Sequence, residues 1–326
     1  MRSTLGELKI FAGRNSKPLA ERICAHMGLE MGRAITRPFP DGELLVKLDD
    51  DVRGRDCFVV LSTCQPVNEN LMELLITIDC LKRASASRVT VVMPYYGYAR
   101  QDRKPGPRTP ISAKLVANLI TASGADRVIA VDLHAAQIQG FFDVPVDHLA
   151  AAPVFVDYFT KIRDEMGPLC LVSPDVGNVK VAEGMANTLG GDLAIINKRR
   201  LSGSTVTTGN LIGSVEGKTV LMFDDMISTA GTVCEAAKLV MERGARGVIA
   251  AATHAVLVGP AVERLAASPI SRIVITNTIP LGDNAAPIRE KVVQLCVGPL
   301  LGEAIKRIHN NQSVSALFKS TGGSKR

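Results

Sequence analysis

The stretch Val220-Leu-Met-Phe-Asp-Asp-Met-Ile-Ser-Thr-Ala-Gly-Thr-Val233 restricts the fold of this chain more than any other. An apolar run ends in two adjacent carboxylates, Asp224 and Asp225. The small and hydroxylated residues Ser228, Thr229, Ala230, Gly231 and Thr232 follow, and then a helical pattern begins. An apolar run of this kind predicts a strand buried in a parallel sheet. In open α/β sheets ligands bind beyond the carboxyl ends of the strands, where the two aspartates would stand. A loop of small residues lets its backbone N–H groups curl around an anion. The helix behind it adds unpaired N–H donors and the positive end of its dipole. Carboxylates beside an anion cradle suit a molecule with both hydroxyls and a phosphate, such as ribose 5-phosphate.

The rest of the chain repeats the alternation. Strands are predicted at 9–12, 57–61, 88–93 and 127–131, with helices at 18–27, 68–83 and 111–123 between them. The pattern restarts with strands at 169–172 and 193–196 around a helix at 179–189. After the opening stretch and its helix come strands at 247–251 and 273–276. This βαβα order predicts an α/β chain of two similar domains, each a mainly parallel sheet flanked by helices. The boundary falls near Ala150 to Pro153, giving domains of 1–150 and 151–302. An amphipathic stretch at about 303–320 is expected to pack back on the first domain. Two segments, 58–93 and 220–252, match element for element. Duplication accounts for this, and so does the general likeness of strand–helix–strand units.

Composition narrows the partners. Aromatic residues make up 4% of the 326 and tryptophan is absent, so the core must be aliphatic. The formal charge of +6 favours anionic partners. Nucleic acid is not expected, because no binding motif is present and few aromatics lie beside basic residues to stack on bases. Seven scattered cysteines, with no Cys-x-x-Cys pair, read as free thiols in a reducing cytosol. The N-terminus has no long apolar stretch, so neither a signal peptide nor a membrane span is expected.

Several other segments carry candidate chemistry, each with a plainer reading beside it. Arg37-Pro-Phe-Pro-Asp-Gly-Glu43 places Asp41 and Glu43 around a flexible Gly42, and by itself reads as a surface turn. Tyr95 to Arg108 follows a strand end and brings Arg100, Arg103, Lys104 and Arg108 into one Gly/Pro-interrupted loop. It is a solvated basic loop or, given its place, a triphosphate clamp. Asp132 and His134 alternate at a strand end and so face one side. Asp175 stands at the equivalent strand end in the second half. Histidine and carboxylates with water would suit Mg²⁺ held mainly by nucleotide phosphates. Lys198-Arg-Arg200 begins a basic loop after a strand.

Taken in order, these segments resemble the ribose-phosphate diphosphokinases. The opening stretch matches the 5-phosphoribosyl 1-diphosphate (PRPP) motif that those enzymes share with phosphoribosyltransferases, so the fold is expected to be of the type I phosphoribosyltransferase kind. The presumed ATP loop separates the two groups, and the resemblance runs from Lys9 to Ile308. It implies transfer of the diphosphoryl group of Mg-ATP to the 1-hydroxyl of D-ribose 5-phosphate. It assigns Phe39, Asp41, Gly42, Glu43, Arg100, Gln101, Asp102 and Arg103 to ATP, with Phe39 stacking on the base. It assigns Asp224, Asp225 and Ser228 to Thr232 to the sugar phosphate. His134 and Asp175 are the metal-side residues, with Asp132, Asp143 and Asp147 as further candidates. Lys198 is the catalytic lysine, and Arg200 contacts the sugar phosphate or the transition state. The resemblance also brings a homohexamer, with ADP and phosphate as regulators. This chain departs from the family at Ser228, where many members carry Asp, at Asn197, and in Lys104-Pro-Gly-Pro-Arg108. The readings set against it are a phosphoribosyltransferase, a non-catalytic regulatory paralogue and a nucleic-acid binder.

Overall fold

The computed structural model describes residues 6–174, 179–197 and 210–317. They divide into two compact units. The first holds residues 6–150, 278–280 and 296–317, and the second holds 151–277 and 281–295.

The first unit opens with β1 (Leu8–Ala12) and α1 (Lys17–Met27). An antiparallel hairpin, β2 (Ala34–Pro38) and β3 (Leu44–Leu48), follows. Then come β4 (Asp56–Val60), α2 (Val67–Arg83), β5 (Arg88–Met93), α3 (Ser112–Ala122), β6 (Arg127–Val131) and β7 (Val146–Leu149). The sheet order is β1-β4-β5-β6-β7 and every pairing in it is parallel. All five residues of β4 are buried, as expected for a central parallel strand covered on both faces. The edge strand β7 alternates instead, with Asp147 and Leu149 buried and Val146 and His148 half-buried.

The second unit starts with α4 (Ala152–Lys161), α5 (Arg163–Met166), β8 (Leu169–Ser173), α6 (Val179–Leu189) and β9 (Asp192–Asn197). It continues through β10 (Asn210–Ile212), β11 (Thr219–Ile227), α7 (Gly231–Glu242) and β12 (Gly247–Ala255). It closes with α8 (Ala261–Ala266), β13 (Ile270–Thr276) and β14 (Val292–Leu295). Among the described residues its seven strands run β10-β9-β8-β11-β12-β13-β14, and only the edge pair β9–β10 is antiparallel. The order β8-β11-β12-β13-β14 repeats the winding of the first sheet strand for strand. The likeness of segments 58–93 and 220–252 is thus part of a likeness between whole units. The core of the second unit is mainly aliphatic, Val, Ile, Leu and Ala with Cys170, Met222 and Cys234 among them.

The last helix, α9 (Gly298–His309), packs on α1 in the first unit. It starts earlier and ends earlier than the amphipathic stretch suggests. Pro299 suits the first turn, where its missing N–H costs nothing. Asn311 takes a left-handed φ of 54° just past the end, and Gln312 N–H closes on Arg307 O at 2.8 Å, which stops the helix. Gly298 and Gly302 let the two helices approach closely. A Cβ on either would come within 2.9 Å of Arg22 or His26.

A buried carboxylate ties α9 to the sheet. Asp56 is fully buried, and Arg88 donates Nε to its Oδ1 at 2.8 Å and Nη2 to its Oδ2 at 2.6 Å. His309 Nδ1 lies 2.8 Å from the same Oδ2, and Arg88 Nη2 also reaches Ile308 O at 3.2 Å. Removing one partner strands a largely buried guanidinium, so Asp56→Ala is expected to lower the unfolding free energy by about 3 kcal/mol. Urea denaturation at neutral pH checks this. Among the described residues no helix is long and apolar enough to cross a membrane.

Candidate functional site

In the second unit the central strand β11 lies between β8 and β12. It runs on past the end of its apolar run, because β12 is equally long and supplies partners as far as Ala255. Asp224 and Asp225 therefore stand inside the strand, with Asp224 beside Ala252 in register. Both are half-buried, and Asp225 N–H donates to Asp224 Oδ1 at 2.9 Å. Successive strand residues face opposite sides, so the two carboxylates flank the strand end rather than form a pair.

The chain then turns sharply into α7. Ser228 and Gly231 are half-buried, Ala230 is buried, and Thr229 and Thr232 are exposed. Ala230 takes φ 59° and ψ 6°, a left-handed conformation that costs a residue with a Cβ about 1–2 kcal/mol. Among the described residues no side chain caps α7, and its first closing bond runs from Cys234 N–H to Ala230 O at 3.1 Å. The N–H groups of Gly231, Thr232 and Val233 have no carbonyl partner within the helix. An anion set on this turn meets those donors and the positive end of the helix dipole.

In the first unit the basic loop begins at the end of β5. Arg100, Gln101, Arg103, Lys104 and Arg108 are exposed, and Asp102 is half-buried. The root of the loop is fixed. Gln101 N–H donates to Tyr98 O at 2.9 Å, its carbonyl receives Ala113 N–H at 3.2 Å, and its Oε1 receives the Ser112 hydroxyl at 2.6 Å. Asp102 Oδ2 accepts from Gln137 Nε2 at 3.1 Å, which joins the loop to the turn after β6.

That turn carries Asp132 and His134. Asp132 leaves the strand with φ 39°, so the alternation that set both side chains on one face stops at Val131. Asp132 is half-buried and His134 exposed. The edge strand β7 holds the turn in place. Leu149 O accepts from Asp132 N–H at 3.0 Å, and His148 Nε2 accepts from Leu133 N–H at 2.9 Å. An Nε2 that accepts carries no proton, so the His148 ring is neutral, and burial pushes its pKa below the usual 6.5. The unfolded chain then binds the proton more readily. The stabilisation is complete above about pH 6.5 and is lost as pH falls from there through the folded-state value. His148→Gln removes the titrating ring and is expected to flatten that acid-side loss of stability. Urea titrations at pH values on either side of 6.5 would show the difference.

The remaining candidates are scattered. Asp147 is buried and its Oδ2 accepts from Arg127 Nη1 at 2.6 Å, so it serves the sheet and not the turn. Asp143 is exposed, with Lys114 Nζ 3.9 Å away. Among the described residues no three His, Cys, Asp or Glu side chains gather as a metal cage. Phe39, Asp41, Gly42 and Glu43 form the exposed tip of the β2–β3 hairpin. The tip is closed by Phe39 N–H to Glu43 O at 2.7 Å, Gly42 N–H to Phe39 O at 2.9 Å and Glu43 N–H to Asp41 Oδ1 at 3.1 Å. Gly42 takes φ 92°, which residues with a Cβ rarely adopt. Asp175, Lys198 and Arg200 lie outside the described residues. The strands on either side of residues 198–209 pair with Asn197 opposite Asn210. Burial keeps two of the thiols from reaction, pushing Cys57 up to about 12 and Cys64 to about 11.

Sequence reasoning missed His148 and the bonds that β7 makes. Its signal was the alternation of Val146-Asp-His-Leu149, too short to stand out behind Pro145.

Residues 8–124 match the family described as the N-terminal domain of ribose phosphate pyrophosphokinase. Residues 202–319 match the phosphoribosyl synthetase-associated domain. The chain is 59% identical over 315 residues to a ribose-phosphate pyrophosphokinase of Rhodopirellula baltica, across 96% of this chain and 99% of that one. It is 49% identical over 312 residues to the corresponding protein of Bacillus caldolyticus, across 96% and 98%. The crystal structure of phosphoribosylpyrophosphate synthetase from Mycobacterium smegmatis is similar at a TM-score of 0.87 and 43% identity, covering 94% of this chain and 99% of that one.

Proposed function

Because the chain belongs to the ribose-phosphate pyrophosphokinase family, we propose that its two units divide the substrates, ATP to the first and ribose 5-phosphate to the second. The reaction joins the diphosphoryl group of ATP to the 1-hydroxyl of ribose 5-phosphate, giving PRPP and AMP. The observation that carries the division is the end of β11. Asp224 and Asp225 stand in its last residues, and the short loop 228–230 leads from there into the uncapped start of α7.

In this reading the sugar's hydroxyls donate to Asp224 and Asp225, and its 5-phosphate accepts from the loop 228–232 and the first turn of α7. ATP lies on the first unit. Arg100 and Arg103 pair with its phosphates, Gln101 and Asp102 complete the loop, and the hairpin tip from Phe39 to Glu43 takes the base. The sugar's 1-hydroxyl oxygen attacks the β-phosphorus, the bond from that phosphorus to the AMP oxygen breaks, and the hydroxyl proton passes to solvent. Lys198 and Arg200 neutralise charge that builds on the transferring oxygens. We assign no general base. Positioning of the two reactants supplies much of the rate.

Asp132 and His134 offer a carboxylate and an imidazole on a turn that lacks a third ligand among the described residues. This donor set suits Mg²⁺ bound mainly through nucleotide phosphates and water. When bound, the ion supplies positive charge to the phosphate oxygens. We further assign the protein to the cytosol, as a homohexamer that responds to ADP and phosphate.

Calorimetric titration of ATP tests the metal assignment. Mg²⁺ should tighten binding to the unmodified protein, and His134→Ala should weaken it by about tenfold with ribose 5-phosphate binding unchanged. Equal ATP affinity with and without the ion would remove His134 from the metal side.

A further inference from the structure

We propose that Arg264 is a positioning residue for the sugar phosphate, acting from α8 through the backbone of loop 228–232. The inference rests on the reading of that loop as the phosphate cradle. Arg264 Nη1–H donates to Thr229 O at 3.1 Å. This bond is the last of a series. Leu257 N–H donates to Ile227 O at 3.0 Å, and Val258 N–H donates to Ser228 O at 3.0 Å. Three consecutive carbonyls are thus held by the single segment that leaves β12 and enters α8.

A trans peptide carries its C=O and its N–H on opposite edges of one plane. Fixing the carbonyls of Ile227, Ser228 and Thr229 on the side of that segment therefore turns the N–H groups of Ser228, Thr229 and Ala230 to the other side. There they join the first-turn donors of α7. The third of these peptides is the one under strain, because it leads into Ala230 at φ 59°. A left-handed alanine persists only where its surroundings over-determine it. The backbone bonds reach only as far as Ser228 O, and for Thr229 O the donor is the Arg264 guanidinium. The same group lies close against Gly231. A Cβ there would lie 3.2 Å from Arg264 Nη1 and would push against the fork. Arg264 also places a permanent positive charge behind a loop meant for a dianion.

Arg264 is exposed and lines an open cavity of about 510 Å³ with Gly231, Cys234, Lys238 and Glu263. Shortening its side chain exposes the space to water and leaves no buried hole, so variants at this position are expected to fold.

The test is steady-state kinetics of Arg264→Gln and Arg264→Lys, with Asp224→Asn as the control for the cradle reading and thermal melting as the control for folding. Arg264→Gln should raise the KM for ribose 5-phosphate about tenfold, with kcat and the KM for ATP within about twofold. Arg264→Lys, which keeps the charge and a donor, should lie between that variant and the unmodified protein. A general structural role would lower the melting temperature without separating the two KM values. If Asp224→Asn raises the sugar KM and Arg264→Gln leaves it within about twofold, the cradle reading stands and the role of Arg264 is overturned. If neither variant moves the sugar KM, the cradle reading falls and this inference falls with it. Should Arg264→Gln melt early, Arg264→Met gives the same reading without a polar replacement.

Discussion

Asp224→Ala is expected to raise the KM for ribose 5-phosphate by about 10²-fold while leaving the KM for ATP within about twofold. The size follows from what a sugar gains at this carboxylate. Hydrogen bonds from ribose hydroxyls to an ionised acceptor contribute about 1.5–3 kcal/mol each, and two of them at one carboxylate reach the stated factor. The specificity follows from the fold. Asp224 sits in β11 beside Ala252 of β12, within the second unit and one short loop before α7. Steady-state kinetics with each substrate varied in turn measures both constants. A normal sugar KM with a raised ATP KM would reverse the assignment of substrates to units.

The second large effect concerns the transfer step. Lys198→Ala is expected to lower kcat by on the order of 10² or more, because removing one preorganised donor to developing charge typically costs that much. The expectation rests on the family resemblance, since Lys198 lies outside the described residues. The KM for either substrate should change little, because the charge it meets appears on the way to the transition state. Turnover near that of the unmodified protein would remove Lys198 from the mechanism.

Much of this was legible in the sequence, for identifiable reasons. The strand β11 and the helix α7 were visible because an apolar run, two carboxylates and a small-residue turn are local signals with a single α/β reading. The two-domain alternation was visible because buried parallel strands such as β4 and β5 lack polar interruptions. Short edge elements were not. The strands β7 and β14 have four residues each and mixed burial, so their pairing depends on partners far along the chain. The hairpin β2–β3 read as a turn because Pro38 and Pro40 mask the strands on either side.

Within the candidate site, the residues found from sequence are those whose chemistry is local, Asp224, Asp225 and the small loop after them. His148 and Arg264 act on backbone groups from other elements. Leu133 N–H and Thr229 O gain their partners only when β7 and α8 are in place, and no spacing in the chain records either bond. Asp147 shows the opposite error. It looked like a spare carboxylate beside the metal-side residues, but its place in β7 commits it to Arg127.

The most direct test of the account is to follow labelled phosphorus from ATP. The purified protein would be given ribose 5-phosphate, Mg²⁺ and ATP labelled in turn at the α, β and γ positions. The account predicts that β and γ label appear together in PRPP, that α label appears in AMP in equal amount, and that EDTA stops both. Label leaving as free phosphate or pyrophosphate with no PRPP, or undiminished transfer in EDTA, would contradict it.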